Sequence, residues 1–289
     1  MRLTRRDRLV LFAPVAVLLT GWFVLPALIG LFATFTTYAP FGATIRFSGL
    51  GNYATVLRDR EFGAAVRNIA VFTIVAVPLE LGIGFALAYL LRRPIRGRGM
   101  WRVLLLVPWL VSPIANGVMW HFLFGSATGV IDFVLGWLGR PDIPSPIGNA
   151  GLALPVTIAV EVWRIAPFVT FLLLPGLSSI PTERWEDATL NGASWVRNVL
   201  SVALPSLRPL LLAIAMLLIG LSLGTFDGVL ILTGGGPGTS TVTPALYSYR
   251  RAFGVNDWPA GAASAWLIAA GVFGAGLVYM RAVRTGRSA

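Results

Sequence analysis

Residues 185–209 read WEDATLNGASWVRNVLSVALPSLRP, a polar interruption in a chain that is otherwise strongly apolar. Two acids, two arginines, an Asn-Gly pair and two prolines fall within it, whereas 56% of the 289 residues are hydrophobic and 12% are charged. A bilayer core about 30 Å thick needs about 20 apolar residues per helix. We therefore predict an all-α, polytopic membrane protein with six transmembrane helices, at about residues 10–35, 65–91, 101–124, 152–174, 210–232 and 259–283.

Two short helices are expected within and just before the polar stretch. Thr182 is a suitable cap for a first helix, whose acidic first turn favours the positive end of the helix dipole. Asn191 and Gly192 should end that helix, because glycine readily adopts the left-handed conformation that follows a helix C-terminus. A second short helix should follow and be closed by Pro205. The connection over residues 177–208 is therefore predicted to be a helix-turn-helix at the membrane surface.

The arginines indicate which side of the membrane this connection occupies. All 23 basic residues are arginine. Fifteen lie near the chain termini, between the second and third spans or within residues 177–208; 7 lie on the other side, and Arg164 lies inside a predicted span. Because short basic loops remain in the cytoplasm, both termini and the polar connection are expected to be cytoplasmic. Membrane topology and anionic lipid explain the net charge of +11 better than nucleic acid does. With no internal repeat or linker, we predict one domain over residues 1–289.

Missing residue types exclude several kinds of chemistry. The chain has no cysteine and a single histidine, His121, which excludes thiolate and multi-histidine metal sites. It has no lysine and therefore no G-x-x-x-x-G-K-[ST] phosphate-binding loop. A membrane-embedded enzyme is disfavoured because the sequence contains no D-x-x-D motif and no histidine cluster. We expect no catalytic residue, metal or cofactor in this chain, with any ATP and Mg²⁺ held by a partner.

The order of acid, glycine and proline resembles the E-A-A-x-x-D-G-A…I-x-L-P signature in permease subunits of binding-protein-dependent ABC importers. The sequence departs from that signature at Asp187, usually alanine, and at Asn191, usually aspartate. In that family the signature forms a coupling helix that seats in a groove of the ATPase subunit. The resemblance implies a type I permease fold and a set of ATPase-coupling positions, namely Glu186, Asp187, Ala188, Asn191, Gly192, Ala193, Leu204 and Pro205.

Other stretches resemble the branch of this family for maltose-type and glycerol-3-phosphate-type solutes: GLGNYATVLRD (49–59), RGMWRVLLLVPW (98–109), GLSSIP (176–181), FDGVLILTGGGPGTST (226–241) and YSYRRAF (247–253). The resemblance implies a second homologous permease subunit, two ATP-binding subunits and an extracytoplasmic solute-binding protein or lipoprotein as partners, in a bacterial inner membrane. The implied solute is a small sugar, with glycerol-3-phosphate or another polyol ester as the alternative. A binding-protein contact is implied for the outer glycine-rich loop, which an ordinary connection between spans would also explain: Gly234, Gly235, Gly236 and Pro237.

Ionisable residues inside the spans are candidates for a solute path, because they are costly in a bilayer unless paired or hydrated. Glu161 and Arg164 are three residues apart on one predicted helix, so they either neutralise each other or line the path together with Trp163. Asp227 precedes the glycine-rich loop and either accepts sugar hydroxyls or ties that loop down. A stand-alone ion-coupled transporter, with these three charges as coupling groups, is the alternative function.

Trp120 and His121 end the third predicted span on its outer side. We expect them to border the same cavity as the buried charges. A membrane-interface aromatic belt, in contact with lipid, would explain Trp120 equally well.

Overall fold

The computed structural model describes residues 5–37, 45–94, 96–125, 129–137 and 145–285. Within them the regular structure is helical, apart from an isolated antiparallel bridge between Thr36 and Phe47. The prediction of an all-α protein is therefore confirmed. The termini 1–4 and 286–289, on which part of the orientation prediction rests, lie outside the described residues.

The chain divides into two compact units. The first comprises Met1–Gly63 and Tyr247–Gly271, and the second comprises Ala64–Leu246 and Val272–Ala289. Up to the middle of the chain the helices are α1 Arg5–Leu19, α2 Leu25–Ala33, α3 Gly51–Arg58, α4 Arg60–Arg92, α5 Arg98–Leu110, α6 Pro113–Phe124 and α7 Val130–Trp137. The remaining helices are α8 Ala153–Ser178, α9 Thr182–Leu190, α10 Trp195–Asn198, α11 Leu204–Leu223, α12 Asp227–Leu232, α13 Pro244–Tyr249 and α14 Trp258–Thr285.

Two short π turns join consecutive helices, a third forms the last turn after α13, and one 3₁₀ turn stands alone. The π turns are Thr20–Val24, Val199–Ala203 and Arg250–Gly254, and the 3₁₀ turn is Pro146–Gly148. Four helical segments of the described chain are long and apolar enough to cross a membrane: Phe12–Ala33, Arg60–Arg92, Ala153–Ser178 and Trp195–Leu223. The bent pair α5 and α6 makes a fifth, and α14 contains a shorter apolar helix, Trp258–Gly274. This set is compatible with the six predicted spans.

Two predicted spans are broken. The segment predicted at 101–124 is bent by 90° between α5 and α6, where Pro113 begins α6 and Ser112 Oγ accepts a hydrogen bond from the backbone of Ala115 at 3.2 Å. The bend is expected at X-Pro, since the residue before a proline disfavours helical geometry. The segment predicted at 210–232 is interrupted after Gly224, so that α12 is a separate short helix.

Pro205 does not close a helix, contrary to the prediction. The helix from Trp195 continues to Leu223 through the π turn Val199–Ala203, which immediately precedes the proline-bearing first turn of α11. A proline in a helix removes one hydrogen bond and crowds the carbonyl four residues earlier. The wider π turn lies where that carbonyl falls, so it accommodates the ring without ending the helix.

The core of the second unit lies where α4, α8 and α11 pack together. Leu173, Leu177 and Leu218 are almost fully buried there. Gly84 permits close approach of α4 to α8, because a Cβ at that position would lie 2.6 Å from Val169 Cγ1. This packing gives the second unit a rigid apolar centre next to the polar groups described below.

The first unit is held by polar contacts between distant parts of its sequence. Asp59 accepts hydrogen bonds from the Tyr247 hydroxyl, at 2.8 Å, and from the Arg251 guanidinium, and Glu61 pairs with Arg250 at 2.8 Å. Burial alone would raise the pKa of Asp59, but these donors outweigh it and lower the pKa below its ordinary value. Burial and the hydrogen bond to Asp59 raise the pKa of Tyr247 to about 12.

Candidate functional sites: the coupling helix and a polar cavity

The polar stretch forms a short helix with a defined C-terminal turn. Thr182 is the first residue of α9 and not its cap, contrary to the prediction, because Pro181 occupies the N-cap position and has no side chain that can accept a capping hydrogen bond. Gly192 has a φ of 74°, and the backbone N–H groups of Ala193 and Gly192 donate to the carbonyls of Ala188 and Thr189, each at 3.0 Å. This pair of bonds is a Schellman motif, in which glycine supplies the left-handed residue. Gly192 therefore sets the direction in which the chain leaves α9.

One aromatic residue anchors α9 to the helical bundle. Trp185 is buried, whereas its neighbours Glu186 and Asp187 are exposed. The Arg92 guanidinium carbon lies 4.0 Å from the centre of the Trp185 ring, and Tyr89 contacts the ring edge-on at 5.9 Å. Cation–π and aromatic contacts of this kind fix the position of a helix more firmly than its backbone alone. α9 is consequently attached to the end of α4.

Three of the predicted coupling residues, Asp187, Ala188 and Pro205, line a groove beside α9. This groove has a volume of about 470 Å³, and its lining includes Arg184, Asp187, Ala188, Ser201 and Pro205. Leu204 opens α11 next to it, and Asn191 donates from its side-chain amide to the Asp187 carbonyl at 2.8 Å. The structure thus places three of the predicted positions in one groove, and the other five on α9, in its C-terminal turn and at the start of α11.

A second cavity, of about 300 Å³, lies at the two helix breaks. Its lining includes Trp109, Glu161, Arg164, Leu221, Phe226 and Asp227. Arg164 donates to Glu161 through two nitrogens, at 2.6 Å to Oε1 and 3.2 Å to Oε2, so the pairing expected from their spacing is present. The side chains are only 14% and 18% exposed. Buried charges in such a bidentate pair are mutually satisfied.

Asp227 lies at the start of α12 rather than within a continuous fifth span. Asp227 is exposed and lines the cavity. Trp109 also lines the cavity, and its ring stacks on that of Phe168 with the ring centroids 4.9 Å apart. Carboxylate oxygens and aromatic faces therefore surround the same space, which is a combination suited to a polyhydroxylated ring.

Trp120, Trp163 and His121 are not part of this lining. Trp120 contacts Trp163 edge-on at 5.5 Å and stacks on Phe124 at 5.3 Å. His121 Nδ1 lies 2.8 Å from the Leu232 carbonyl oxygen, at the end of α12. The three side chains thus brace α6 against α8 and α12. The sequence predicted that they line or border the cavity, whereas the structure places them in contacts between α6, α8 and α12.

The glycine-rich loop is fixed by side chains on both sides of it. Gly234 and Gly235 have φ values of 59° and 89°, and the Gly236–Pro237 peptide bond is cis. The Thr233 and Thr241 hydroxyls lie 2.7 Å apart across the loop. Its far side is held by a residue that sequence reasoning missed, since Asn68 donates to the carbonyls of Thr239 and Val242 at 2.8 and 3.0 Å. Asn68 is buried. A polar amide in the outer half of a predicted apolar span is the sequence signal that could have identified it.

Comparison with known proteins agrees with this arrangement. Residues 80–285 match the family model described as binding-protein-dependent transport system inner membrane component. The trehalose/maltose transport system permease protein MalF of Thermococcus litoralis is 33% identical over 241 residues, which cover 82% of this chain and 80% of that protein. The sn-glycerol-3-phosphate transport system permease protein UgpA of Agrobacterium fabrum is 28% identical over 246 residues, 84% of this chain and 83% of that one.

The fold has counterparts of known structure. A bacterial alginate ABC transporter, solved with a periplasmic protein bound to an alginate pentasaccharide, contains a chain that superposes with a TM-score of 0.81 and 20% sequence identity. The match covers 95% of this chain and 93% of that one. The chain belongs to the family of binding-protein-dependent transport system inner membrane components, as a multi-pass ABC transporter permease subunit and not an enzyme.

Proposed function

We propose that this permease forms half of a translocation path for a sugar or related polyol, with a second homologous subunit forming the other half. A solute-binding protein delivers the solute on the outer side, and two ATP-binding subunits carry the ATP and Mg²⁺ on the inner side. Both termini and α9 face the cytoplasm. Membership of the family disfavours the alternative of a stand-alone ion-coupled transporter.

The observation that carries this proposal is the construction of α9. A short helix with exposed acids, a fixed glycine turn and a single buried tryptophan presents a polar knob that is firmly attached to the bundle. Such a helix suits a groove on another protein, because its orientation is already set and little conformational freedom is lost on binding. An isolated interfacial helix would need no such attachment.

A movement of α9 on docking can be transmitted to the cavity by two routes within the second unit. Trp185 contacts the end of α4, which also carries Glu80, a residue within electrostatic range of Glu161 and Arg164. The second route is the continuous helix Trp195–Leu223, whose C-terminal end contributes Leu221 to the cavity. ATP binding that pulls on α9 therefore biases the two walls of the cavity between outward-facing and inward-facing states.

The cavity supports a sugar or polyol as the solute. Sugar hydroxyls donate well to carboxylates, and apolar sugar faces pack on aromatic rings; Asp227, Trp109 and Phe226 supply these groups. The relatives named for trehalose/maltose transport agree with this class. The second permease subunit completes the enclosure.

The test compares replacement of one exposed acid of α9 with replacement of a second exposed acid on the same helix. Glu186 and Glu183 carry the same charge and are both exposed on α9. In proteoliposomes containing the whole complex, Glu186→Ala should lower solute-stimulated ATPase activity and uptake about tenfold, since a charge-assisted hydrogen bond is worth about 1.5–3 kcal/mol. Glu183→Ala is the matched control and should stay near wild type. Undiminished uptake in both Glu186→Ala and Gly192→Ala would overturn the proposal.

A further inference from the structure

We infer that the cavity at the helix breaks selects solutes by charge, accepting neutral or cationic polyols and rejecting phosphate, sulfonate and carboxylate derivatives. The inference rests on the proposed function and refines its solute class. Family membership leaves the point open, because relatives are named for transport of trehalose/maltose and of sn-glycerol-3-phosphate. The side chains around the cavity decide between them.

Arg164, the one cation among the described lining residues, is already paired. Arg164 makes a two-nitrogen contact with Glu161, at 2.6 and 3.2 Å, and both side chains are largely buried. An anionic solute could bind this guanidinium only by displacing Glu161, which would leave a buried carboxylate without its partner. Breaking a buried ion pair in this way is strongly unfavourable. Arg164 is therefore part of a neutral pair and does not act as an anion-binding group.

The remaining charges of the lining are negative. Asp227 adds a second carboxylate, exposed to the cavity, and the other described lining residues carry no charge. Glu80, on α4, is 2% exposed and lies within electrostatic range of Glu161 and Arg164. In either protonation state Glu80 adds no positive charge. The described lining thus carries one positive and two negative groups, and its net negative charge attracts cations and repels anions.

The absence of cysteine from the natural chain allows the potential inside the cavity to be measured directly. A single cysteine is introduced at Thr225 or, as a second variant, at Leu221, both of which line the cavity. The whole complex in nanodiscs is then reacted with three methanethiosulfonates that carry a trimethylammonium, a sulfonate or a hydroxyl group. Labelling of this chain is followed by its mass, so that cysteines of the partner subunits do not interfere.

The expected result is a preference for the cationic reagent. For each cysteine, the labelling rate with the trimethylammonium reagent is divided by the rate with the sulfonate reagent, and this ratio is normalised to the same ratio measured with 2-mercaptoethanol. The normalised ratio should be about ten, because the one uncompensated negative charge of the lining raises the first rate and lowers the second. Asp227→Asn, added to either cysteine variant, should return the ratio towards one. Arg164→Gln should raise it further.

Three outcomes would overturn the inference. These are a sulfonate preference, an unchanged ratio in Asp227→Asn, or no reaction with any reagent at either cysteine. Failure of the proposed function is recognised separately. Trehalose, delivered with the binding protein, should slow the reaction of the neutral hydroxyl reagent; a cationic preference without such protection would keep the charge assignment and reject the cavity as the solute path.

Discussion

Replacing Gly192 by alanine isolates the contribution of the α9 turn to coupling. Gly192 has a φ of 74°, and a Cβ there would have no heavy atom within 4 Å. The substitution therefore creates no clash, and its cost is the left-handed backbone conformation, about 1–2 kcal/mol for a residue with a Cβ. If the ATPase subunit requires the native turn, its affinity for the permease should fall by about 5- to 30-fold. Gly192→Asn should lose less, because asparagine tolerates this conformation.

A matched control exists in the same chain. Gly97, which precedes α5, has the same φ of 74° and no heavy atom within 4 Å of a Cβ. Gly97→Ala therefore carries the same backbone cost outside the coupling helix. The assay titrates purified ATPase subunit onto the permease pair in nanodiscs and measures solute-stimulated ATPase activity. Equal losses in Gly97→Ala and Gly192→Ala, or no loss in Gly192→Ala, would refute the argument that the α9 turn is recognised.

Three further predictions concern packing, anchoring and pH. Gly84→Ala should lower the Tm of the purified complex, because its Cβ would lie 2.6 Å from a side chain of α8 and overpacking costs about 1–3 kcal/mol; Gly82→Ala, with no atom within 4 Å, should not. Trp185→Ala should uncouple ATPase activity from solute while α9 remains exposed, since loss of a buried tryptophan costs about 3–5 kcal/mol. Trp195→Ala, which removes a half-exposed ring, should have a smaller effect in the same assay. Because the pKa of Asp59 is lowered in the folded state, its ionised carboxylate stabilises the first unit above the unfolded-state pKa of about 3.9. The free energy of unfolding measured in urea should therefore fall as the pH drops through and below that value. Asp59→Asn should remove this pH-dependent part of the stability, and an unchanged pH profile in that variant would contradict the prediction.

Local patterns predicted the parts of this protein that depend on neighbours in sequence. The end of α9 at Gly192 followed from the left-handed preference of glycine, and the pairing of Glu161 with Arg164 followed from their helical spacing. Hydropathy also located the long apolar segments. These features depend on contacts within one turn or on composition, which a single sequence contains in full.

Contacts between distant segments could not be predicted in the same way. Nothing in the sequence identified Tyr89 and Arg92 as the partners of Trp185 across four intervening helices. The break after Gly224 was missed because apolar composition reports membrane depth and not helix direction. Since that break places Asp227 at the cavity, the geometry of the solute path depends on information that hydropathy does not contain.

The positions of the breaks also explain how one surface helix can act on a distant cavity. The helix Trp195–Leu223 follows the α9 turn and runs unbroken to Leu223, so a displacement at the end next to α9 is carried along a stiff rod. The rod ends at Gly224, where the chain bends into α12, and α12 is held from the other side by the contact of His121 with Leu232. Because close-packed helices shift between discrete packing arrangements more readily than they deform continuously, the helix Trp195–Leu223 is expected to have two positions relative to α12. Movement of α9 is therefore expected to change the width of the cavity at Leu221 while the wall formed by α6 and α12 stays in place.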